Sequence, residues 1–337
     1  MSLRLGLLLT CGLCAFAAAE FVSVADVVSE VRAAVAKHNA DGPLAKILHK
    51  YKPSERLDDH VIEELESLGA GPKAVAELER LRDLSRTLPA PAVAPDFPHD
   101  DTPSIPDQRR IVREAQRIAL SYANGLPDFL CTEVIHRYDD VKGVMALKDT
   151  VDVRLSYFDQ HENYRVLSLN GKMTMRPFAD IGGAVSEGEF GSLLASVFVS
   201  ESQTVLRWDH WTTIRKRLAH VFTFKIPVEH SSYKMVFRSD PLVGDRTITA
   251  GQHGLVYVDR ETNQILRIAT EADLPGDFPI RQSSTLLDYD FTEISGRRFL
   301  LPLRADVRMA TNNLHTRNVV EFKEYRKFTG ESTITFQ

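Results

Sequence analysis

The sequence predicts an α+β protein in which a large antiparallel β-sheet with packing helices follows a small all-α domain. From Asp128 onward, apolar and polar residues alternate, which is the period of strands with one buried and one wet face. Before residue 88, apolar residues instead recur at helical spacing, beginning with Val24, Val27, Val28 and Val31. Short turn signals such as Asn170-Gly171 separate about eleven strands, so we expect an antiparallel meander.

The first nineteen residues have the composition of a secretory signal peptide. Arg4 supplies a positive charge, Leu5 to Phe16 is almost wholly apolar, and Ala17 to Ala19 form a small-residue cleavage site. The apolar run is shorter than the roughly 20 residues needed to cross a bilayer, although an uncleaved anchor or a buried helix is the alternative. We therefore predict a signal peptide at 1–19, export to the periplasm or the exterior, and no integral membrane segment in the mature chain.

Charge and cysteine content narrow the possible partners. The formal net charge is −5, with 41 basic and 46 acidic residues spread along the chain. A nucleic-acid partner would require a basic face, so we expect none. Cys131 is the one cysteine outside residues 1–19, so the mature chain has no internal disulfide, and we expect Cys131 to be a buried, inert thiol.

The chain divides at a proline-rich segment. In the small helical domain at 20–87, a second helix is predicted from Leu44 to Tyr51, a third after Ser54 or Asp58, and a fourth from Pro72. Residues 88–106 have no apolar period and are predicted to be a semi-rigid linker. The β domain then covers 107–337. It is predicted to open with a helix at about 108–123 and to carry a helical interruption around 188–198.

One short segment has the pattern of a phosphate-binding turn. Leu68-Gly69-Ala70-Gly71-Pro72-Lys73 resembles the helix-hairpin-helix of DNA-binding proteins, in which backbone amides at a helix N-terminus meet a phosphate. A plain helical hairpin explains the same residues. Because export would separate the protein from DNA, we favour the plain hairpin.

Few residues in the β domain suggest chemistry. None of the eleven histidines has metal-ligand spacing, so we predict no metal, no cofactor and no catalytic residue. His210 lies between Trp208 and Trp211, which suggests either an aromatic platform for a ligand or ordinary strand packing. Asp288 and Asp290 share a strand face and could act as an acid/base pair or bind calcium, although solvated carboxylates are the simpler interpretation.

The order of elements after residue 107 resembles a known family of binding proteins. The segments Tyr164 to Lys172, Gly254 to Arg267 and Leu287 to Pro302 are similar to the strand-turn motifs of the lipoprotein carrier and receptor family of LolA and LolB, which the sensor RseB shares. The chain also resembles a group of secreted bacterial proteins with an "LPDF.C" start and an "STLLDYDF" segment, and that group brings no activity. The helical domain and the linker are not part of the carrier family.

The resemblance implies a curved, open half-barrel sheet with a concave apolar face. On that basis we expect Phe222, Phe224, Leu303 and Val307 to line a site for an acyl chain, a lipoprotein or another apolar ligand. The predicted function is therefore an exported, non-enzymatic binding protein, with the helical domain available to an envelope protein partner. A structural scaffold of the cell envelope without a small ligand is the main alternative, and a secreted hydrolase using Asp288 and Asp290 is the less favoured one.

Overall fold

The computed structural model describes residues 20–37, 41–93, 95, 97, 101–141, 144–159, 161–177, 181, 192–237 and 245–328. The chain divides into two compact units. The helical unit comprises Met1–Pro98 with Thr213–Lys216, and the sheet unit comprises His99–Thr212 with Arg217–Gln337. The predicted signal peptide at 1–19, and residues 188–191 of the predicted helical interruption, lie outside the described residues.

Four helices form the core of the helical unit. They are α1 (Val24–Ala36), α2 (Asp41–Leu48), α3 (Asp59–Leu68) and α4 (Pro72–Ser85). Ser23 begins α1 with a capping box, because its hydroxyl accepts from the Asp26 amide while the Asp26 carboxylate accepts from the Ser23 amide. Apolar side chains from all four helices pack into one buried cluster, which includes Val31, Leu48, Leu65, Leu78 and Leu81. The apolar stripes in the sequence therefore predict these helices correctly.

The helical unit also contains two short strands that the sequence analysis does not predict. Strand β1 (Glu20–Val22) pairs in parallel with β2 (Tyr51–Pro53). The predicted second helix ends at Leu48 rather than Tyr51, and Tyr51–Pro53 instead pairs with β1 as a strand. The Ser54 amide then donates to the Val22 carbonyl at 2.9 Å, which continues the pairing.

The sheet unit begins with a long helix and continues almost entirely as strands. Helix α5 (Ile105–Gly125) is followed by β3 (Phe129–Val141), β4 (Val144–Phe158), β5 (His161–Leu169), β6 (Lys172–Met173) and α6 (Ser192–Phe198). The remaining strands are β7 (Val205–Ile214), β8 (Arg217–Ile226), β9 (Lys234–Phe237), β10 (Arg246–Thr249), β11 (Gly251–Asp259), β12 (Ile265–Asp273), β13 (Ile280–Ile294), β14 (Arg297–Thr311) and β15 (His315–Lys327).

Eleven of these strands form one open antiparallel sheet, as the sequence predicts. Their order is β6-β5-β4-β3-β15-β14-β13-β12-β11-β8-β7, and β9 and β10 form a separate hairpin. Within the described residues, β6 and β7 end the sheet and do not pair with each other. Strand β15, the last one in the described part of the chain, lies between β3 and β14, so the strand order departs from the sequence order at this point.

The strand register gives the sheet two chemically different faces. Nine paired residues on nine neighbouring strands form a continuous apolar row on what we call the apolar face: Phe222, Val256, Ile268, Leu287, Ala305, Val320, Ile135, Val151 and Leu169. The adjacent row on the other side, which we call the charged face, places Arg267, Asp288, Arg304 and Glu321 on consecutive strands. Side chains alternate between faces, so one register determines both rows.

Helix α5 covers part of the apolar face. Its residues Ile111, Ala115 and Ala119 are buried, and the Tyr122 hydroxyl donates to the Leu300 carbonyl at 2.9 Å. The Gln116 amide donates to the Phe198 carbonyl at 2.7 Å, which fixes α6 against α5. Helix α5 begins at Ile105 rather than at about 108 because Ser104 caps it. The Ser104 hydroxyl donates to the Asp107 carboxylate and accepts from the Asp107 amide.

The β9–β10 hairpin covers another part of the apolar face. Met235 from the hairpin packs with Ala272, Phe278 and Ile280 in a second buried cluster, against which Met309 also packs. Ala272 and Met309 have the same side-chain direction as the apolar row.

No helix among the described residues is both long and apolar enough to cross a membrane.

Candidate ligand-binding site

The sheet register brings three of the four predicted ligand-contacting residues to the apolar face. Phe224 pairs with Gly254, which pairs with Thr270, then Thr285, then Val307, so Phe224 and Val307 lie in one row four strands apart. Phe222 lies in the neighbouring apolar row. Phe222, Phe224 and Val307 are all buried, which is consistent with a face that is excluded from water. Their contact with a ligand stays a prediction.

Leu303, the fourth predicted residue, lies outside this arrangement. The β13–β14 register shifts between Asp288 and Tyr289, which pair with Arg304 and Pro302, so Leu303 is the extra residue of a β-bulge. A bulge interrupts the alternation of side chains, and Leu303 is 38% exposed. Its alternation in the sequence with Leu301 and Ala305 gives no sign of the bulge.

The Phe224–Val307 row becomes polar further along the sheet. Val307 pairs with Asn318, Asn318 with Arg137, and Arg137 with Asp149. The Arg137 guanidinium donates two hydrogen bonds of 2.6 Å to the Asp149 carboxylate, and both side chains are largely buried. The apolar face is therefore amphipathic, with an ion pair on β3 and β4.

A cleft of 570 Å³ opens beside the apolar face, next to strand β8. Nine residues from α5, the segment before it, β7, β8 and the β11–β12 turn line the cleft: Asp101, Pro103, Asp107, Arg110, Ile111, Trp211, His220, Arg260 and Asn263. The volume is in the range of small-ligand sites. Because His220 has the same side-chain direction as Phe222, the cleft is continuous in register with the apolar row.

The β11–β12 turn is held by a buried carboxylate. Asp259 is 1% exposed, and its Oδ1 accepts from the Glu261 and Thr262 amides at 2.7 and 3.2 Å. Its other oxygen accepts from Arg217, and the Arg260 amide donates to the Leu218 carbonyl at 2.9 Å. These bonds fix the backbone that carries Arg260 and Asn263 at the cleft.

Trp211 organises the aromatic wall of the cleft. Its indole N–H donates to the Asp101 carbonyl at 3.2 Å, and the Arg260 guanidinium lies 5.4 Å from its ring centroid. The His220 ring is 4.0 Å from the Trp211 ring, centroid to centroid. A guanidinium over an indole is a favourable cation–π arrangement, so Trp211 positions the Arg260 charge near His220.

His220 is the most unusual group in the cleft. It is 5% exposed, and its Nδ1 has no hydrogen-bond partner among the described residues. Burial, together with the smaller effect of the positive charges of Arg260 and Arg110, lowers the pKa of His220 from 6.5 to about 4. The imidazole is therefore neutral at pH 7. A neutral imidazole has one donor and one acceptor nitrogen, so it can still form a hydrogen bond with a ligand.

Asp288, one member of the predicted acid/base pair with Asp290, is engaged by an arginine. Arg267 binds Asp288 through Nε and Nη2, at 2.7 and 3.3 Å, on the charged face. An arginine that engages both carboxylate oxygens favours a structural role for Asp288 over the predicted acid/base or calcium role. Nothing in this arrangement supports the hydrolase alternative.

The predicted aromatic platform is only partly as expected. The rings of Trp208 and Trp211 are 6.5 Å apart and meet edge to face, although strict alternation would place them on opposite sides. His210 Nδ1 is 2.6 Å from the Asp209 carboxylate. Trp211, and not Trp208 or His210, reaches the cleft.

Cys131 is buried, as predicted.

The turn that resembles a helix-hairpin-helix already has its own anion. The amides of Lys73 and Ala74, at the N-terminus of α4, both donate to the Asp41 carboxylate at 2.8 Å. A Cβ on Gly71 would lie 2.5 Å from the Asp41 carboxyl carbon, so the glycine is needed for this close approach. Asp41 takes the place that a phosphate would have, which supports the plain helical hairpin.

Sequence reasoning missed the cleft as a site. In the structure His220 lies on β8, Arg110 on α5 and Arg260 in the β11–β12 turn. The three residues come from segments more than 30 residues apart, and no local pattern links them. The unusual local signal is a histidine at an otherwise apolar strand position.

Comparison with known proteins finds similar structures but no sequence family. No protein-family model and no curated protein matches the chain. A LolA superfamily protein from Nitrosomonas europaea is 11% identical, with a TM-score of 0.30, and the match covers 68% of this chain and 97% of that one. A putative outer membrane lipoprotein-sorting protein domain from Vibrio parahaemolyticus is 12% identical, with a TM-score of 0.32, covering 67% and 95%.

A further match has no activity in its name. It is a DUF1329 family protein from Desulfovibrio piger, at 11% identity and a TM-score of 0.31, covering 66% of this chain and 94% of that one. The resemblance to LolA-like proteins that the sequence predicts is thus also found among solved structures. Because these TM-scores are below 0.5, the function proposed below rests on the geometry of the sheet unit and not on these proteins.

Proposed function

We propose that this chain is an exported, non-enzymatic binding protein that holds an apolar ligand, such as an acyl chain, against the apolar face of its open sheet. One observation carries the proposal, namely the nine-residue apolar row from Phe222 to Leu169 on a sheet with two unpaired ends. Export is proposed from the composition of residues 1–19.

The dimensions of the sheet support this proposal. Eleven strands at about 4.8 Å spacing give a width of about 48 Å. Helix α5 has 21 residues and is about 32 Å long, and α6 has seven and is about 10 Å long. The helices alone do not span this width, and the β9–β10 hairpin covers a further part of the face, so that eight of the nine residues in the apolar row are buried. The proposed ligand would take the place of part of this cover, because hydrocarbon contacts do not depend on one specific partner.

A scaffold role is the alternative, and a binding experiment distinguishes the two. Full-length protein purified from its own host would be studied by native mass spectrometry, and delipidated protein would be titrated with the fluorescent fatty acid cis-parinaric acid. The proposal predicts a co-purifying lipid and saturable fluorescence. Neither signal would be seen for a scaffold whose side chains fill the interior.

Two neighbouring residues on β15 provide a matched pair of variants. Val320 lies in the apolar row, and Val319 lies on the charged face. Val320→Trp should weaken cis-parinaric acid binding at least tenfold, because it adds bulk where the ligand would lie, whereas Val319→Trp should leave binding unchanged. Circular dichroism checks that both variants fold. If Val320→Trp does not fold, Val320→Ala should still alter the affinity more than Val319→Ala.

A further inference from the structure

We infer that the cleft lined by His220, Arg110 and Arg260 binds an oxyanion, a carboxylate or a phosphate, at the polar end of an amphipathic ligand. This inference rests on the function proposed for the apolar face and adds the chemistry of the ligand's other end. It depends on three features of the described residues: an unpartnered buried nitrogen, two arginines beside it, and continuity with the apolar row.

The unpartnered nitrogen is the Nδ1 of His220. A buried polar atom without a partner is destabilising, and such atoms are uncommon in folded proteins. His220 is 5% exposed and lines the cleft, so a ligand there would lie against this side chain. The tautomer with a proton on Nδ1 would donate that proton to an oxygen of the ligand.

The two arginines give the cleft its preference for an oxyanion. Arg260 is held over the Trp211 ring, and Arg110 comes from the second turn of α5. Arg110 and Arg260 both line the cleft with His220, and their positive charges contribute to the lowered pKa of that ring. Guanidinium groups match the geometry of carboxylates and phosphates. A bound oxyanion would take the place of water beside Arg110, Arg260 and His220.

Two aspartates also line the cleft, and the carboxylate of one of them is already engaged. The Asp107 carboxylate accepts from the Ser104 hydroxyl at 2.6 Å, and it lies 3.7 Å from Arg110. Asp101 uses its backbone carbonyl to hold Trp211. Arg110 and Asp107 are both more than half exposed, so their mutual attraction is weak, and a ligand oxyanion can compete for the arginine.

The third feature is the path from the cleft to the apolar face. His220 and Phe222 point to the same side of β8, and their ring centroids are 6.3 Å apart. A ligand with its charged end at His220 would therefore extend its chain over Phe222 and along the apolar row. This geometry predicts a single-chain amphiphile rather than a purely apolar molecule.

The experiment is a calorimetric titration of the full chain with four probes: dodecanoate, dodecyl phosphate, dodecanol and inorganic phosphate. The two charged amphiphiles should bind about tenfold or more tightly than dodecanol, because charge-assisted hydrogen bonds add to the same apolar chain. Arg110→Gln and Arg260→Gln should each reduce dodecanoate affinity about tenfold. Arg109→Gln is the matched control, because Arg109 is exposed on the same helix and does not line the cleft, and it should have no effect.

Nitrogen NMR of His220 provides a second readout. Bound dodecanoate should shift the His220 ring nitrogens and raise the His220 pKa above about 4, because the anion offsets Arg110 and Arg260. Asp101, Asp107, Arg110 and Arg260 are the charged groups that line the cleft with this ring. Dodecanol should leave its pKa unchanged.

The outcomes separate this inference from the function on which it rests. If dodecanol binds as tightly as dodecanoate and the arginine variants change nothing, the oxyanion site is refuted while the apolar site stands. If inorganic phosphate binds as tightly as dodecyl phosphate and shifts His220, the oxyanion site stands as a site for a free anion, and the apolar-ligand function is contradicted. If none of the charged probes shifts His220, the inference is wrong.

Discussion

The two faces of the sheet are built from the same strands, but they are stabilised differently. On β13, Leu287 is fully buried in the apolar row, whereas its neighbour Asp288 is buried through an ion pair with Arg267. The apolar face gains from removal of hydrocarbon from water, and the charged face depends on partners that compensate lost hydration. Only the apolar face is suited to exchange its contacts for those of a ligand, because hydrocarbon contacts do not depend on one specific partner.

The largest effect should follow from removing one charge from the charged face. Arg267→Met leaves Asp288 without the guanidinium that binds both its oxygens, and it also removes a cation positioned 5.6 Å from the Tyr257 ring centroid. We expect a loss of about 3–5 kcal/mol in the free energy of unfolding, measured by urea denaturation. The double variant Arg267→Met, Asp288→Leu should recover most of the loss. A loss of less than about 1 kcal/mol in the free energy of unfolding of Arg267→Met would contradict the view that the charged face depends on paired charges.

The apolar face should respond to loss of volume, and the charged face should not. Leu287→Ala should cost about 2–5 kcal/mol, because it leaves a cavity in a fully buried row. Leu286→Ala is the matched control on the same strand, where the side chain is only half-buried, and should cost less than about 1 kcal/mol. Equal losses in the two variants would mean that the two faces are equally packed.

A pH titration of stability should report on a buried carboxylate of the charged face. Burial by itself would raise the pKa of Asp306, but Arg308 and Arg317 outweigh burial and lower the pKa from 3.8 to about 2. Because the pKa is lower in the folded state, this stabilisation is complete above about pH 4 and is lost as the pH falls towards 2. It amounts to about 2 kcal/mol. Urea denaturation of Asp306→Asn should lack this part of the acid dependence, and an unchanged pH profile would count against the ion-pair account.

We also expect the sheet unit to fold without the helical unit. We propose that the Pro-rich segment at 88–106 links two folding units, because such segments expose backbone to proteases. Limited proteolysis should release a stable fragment that begins near 105–110, and its thermal unfolding should be unchanged from that of the same unit in the full chain. Cleavage spread evenly through 110–337 would argue against this boundary.

The sequence predicts the faces of the sheet better than it predicts the sites on them. Alternation in β8 and β14 correctly places Phe222, Phe224 and Val307 on one face, because the side-chain period of a strand is a local property. Leu303 differs because a β-bulge adds one residue without a local signature. The cleft is not predictable in this way, since Arg110, His220 and Arg260 meet through strand order, and strand order is decided by the whole sheet.

The most direct test of the central claim is photo-crosslinking of the full chain with a diazirine-bearing palmitate, followed by peptide mapping with mass spectrometry. The account predicts light-dependent adducts on side chains of the apolar face, among them Phe222, Phe224, Val307 and Val320, with competition by unlabelled palmitate. Exposed Leu303 and the charged-face residue Val319 should remain unmodified. Adducts confined to the charged face, or no adduct that palmitate displaces, would contradict the proposal that the open sheet holds an apolar ligand.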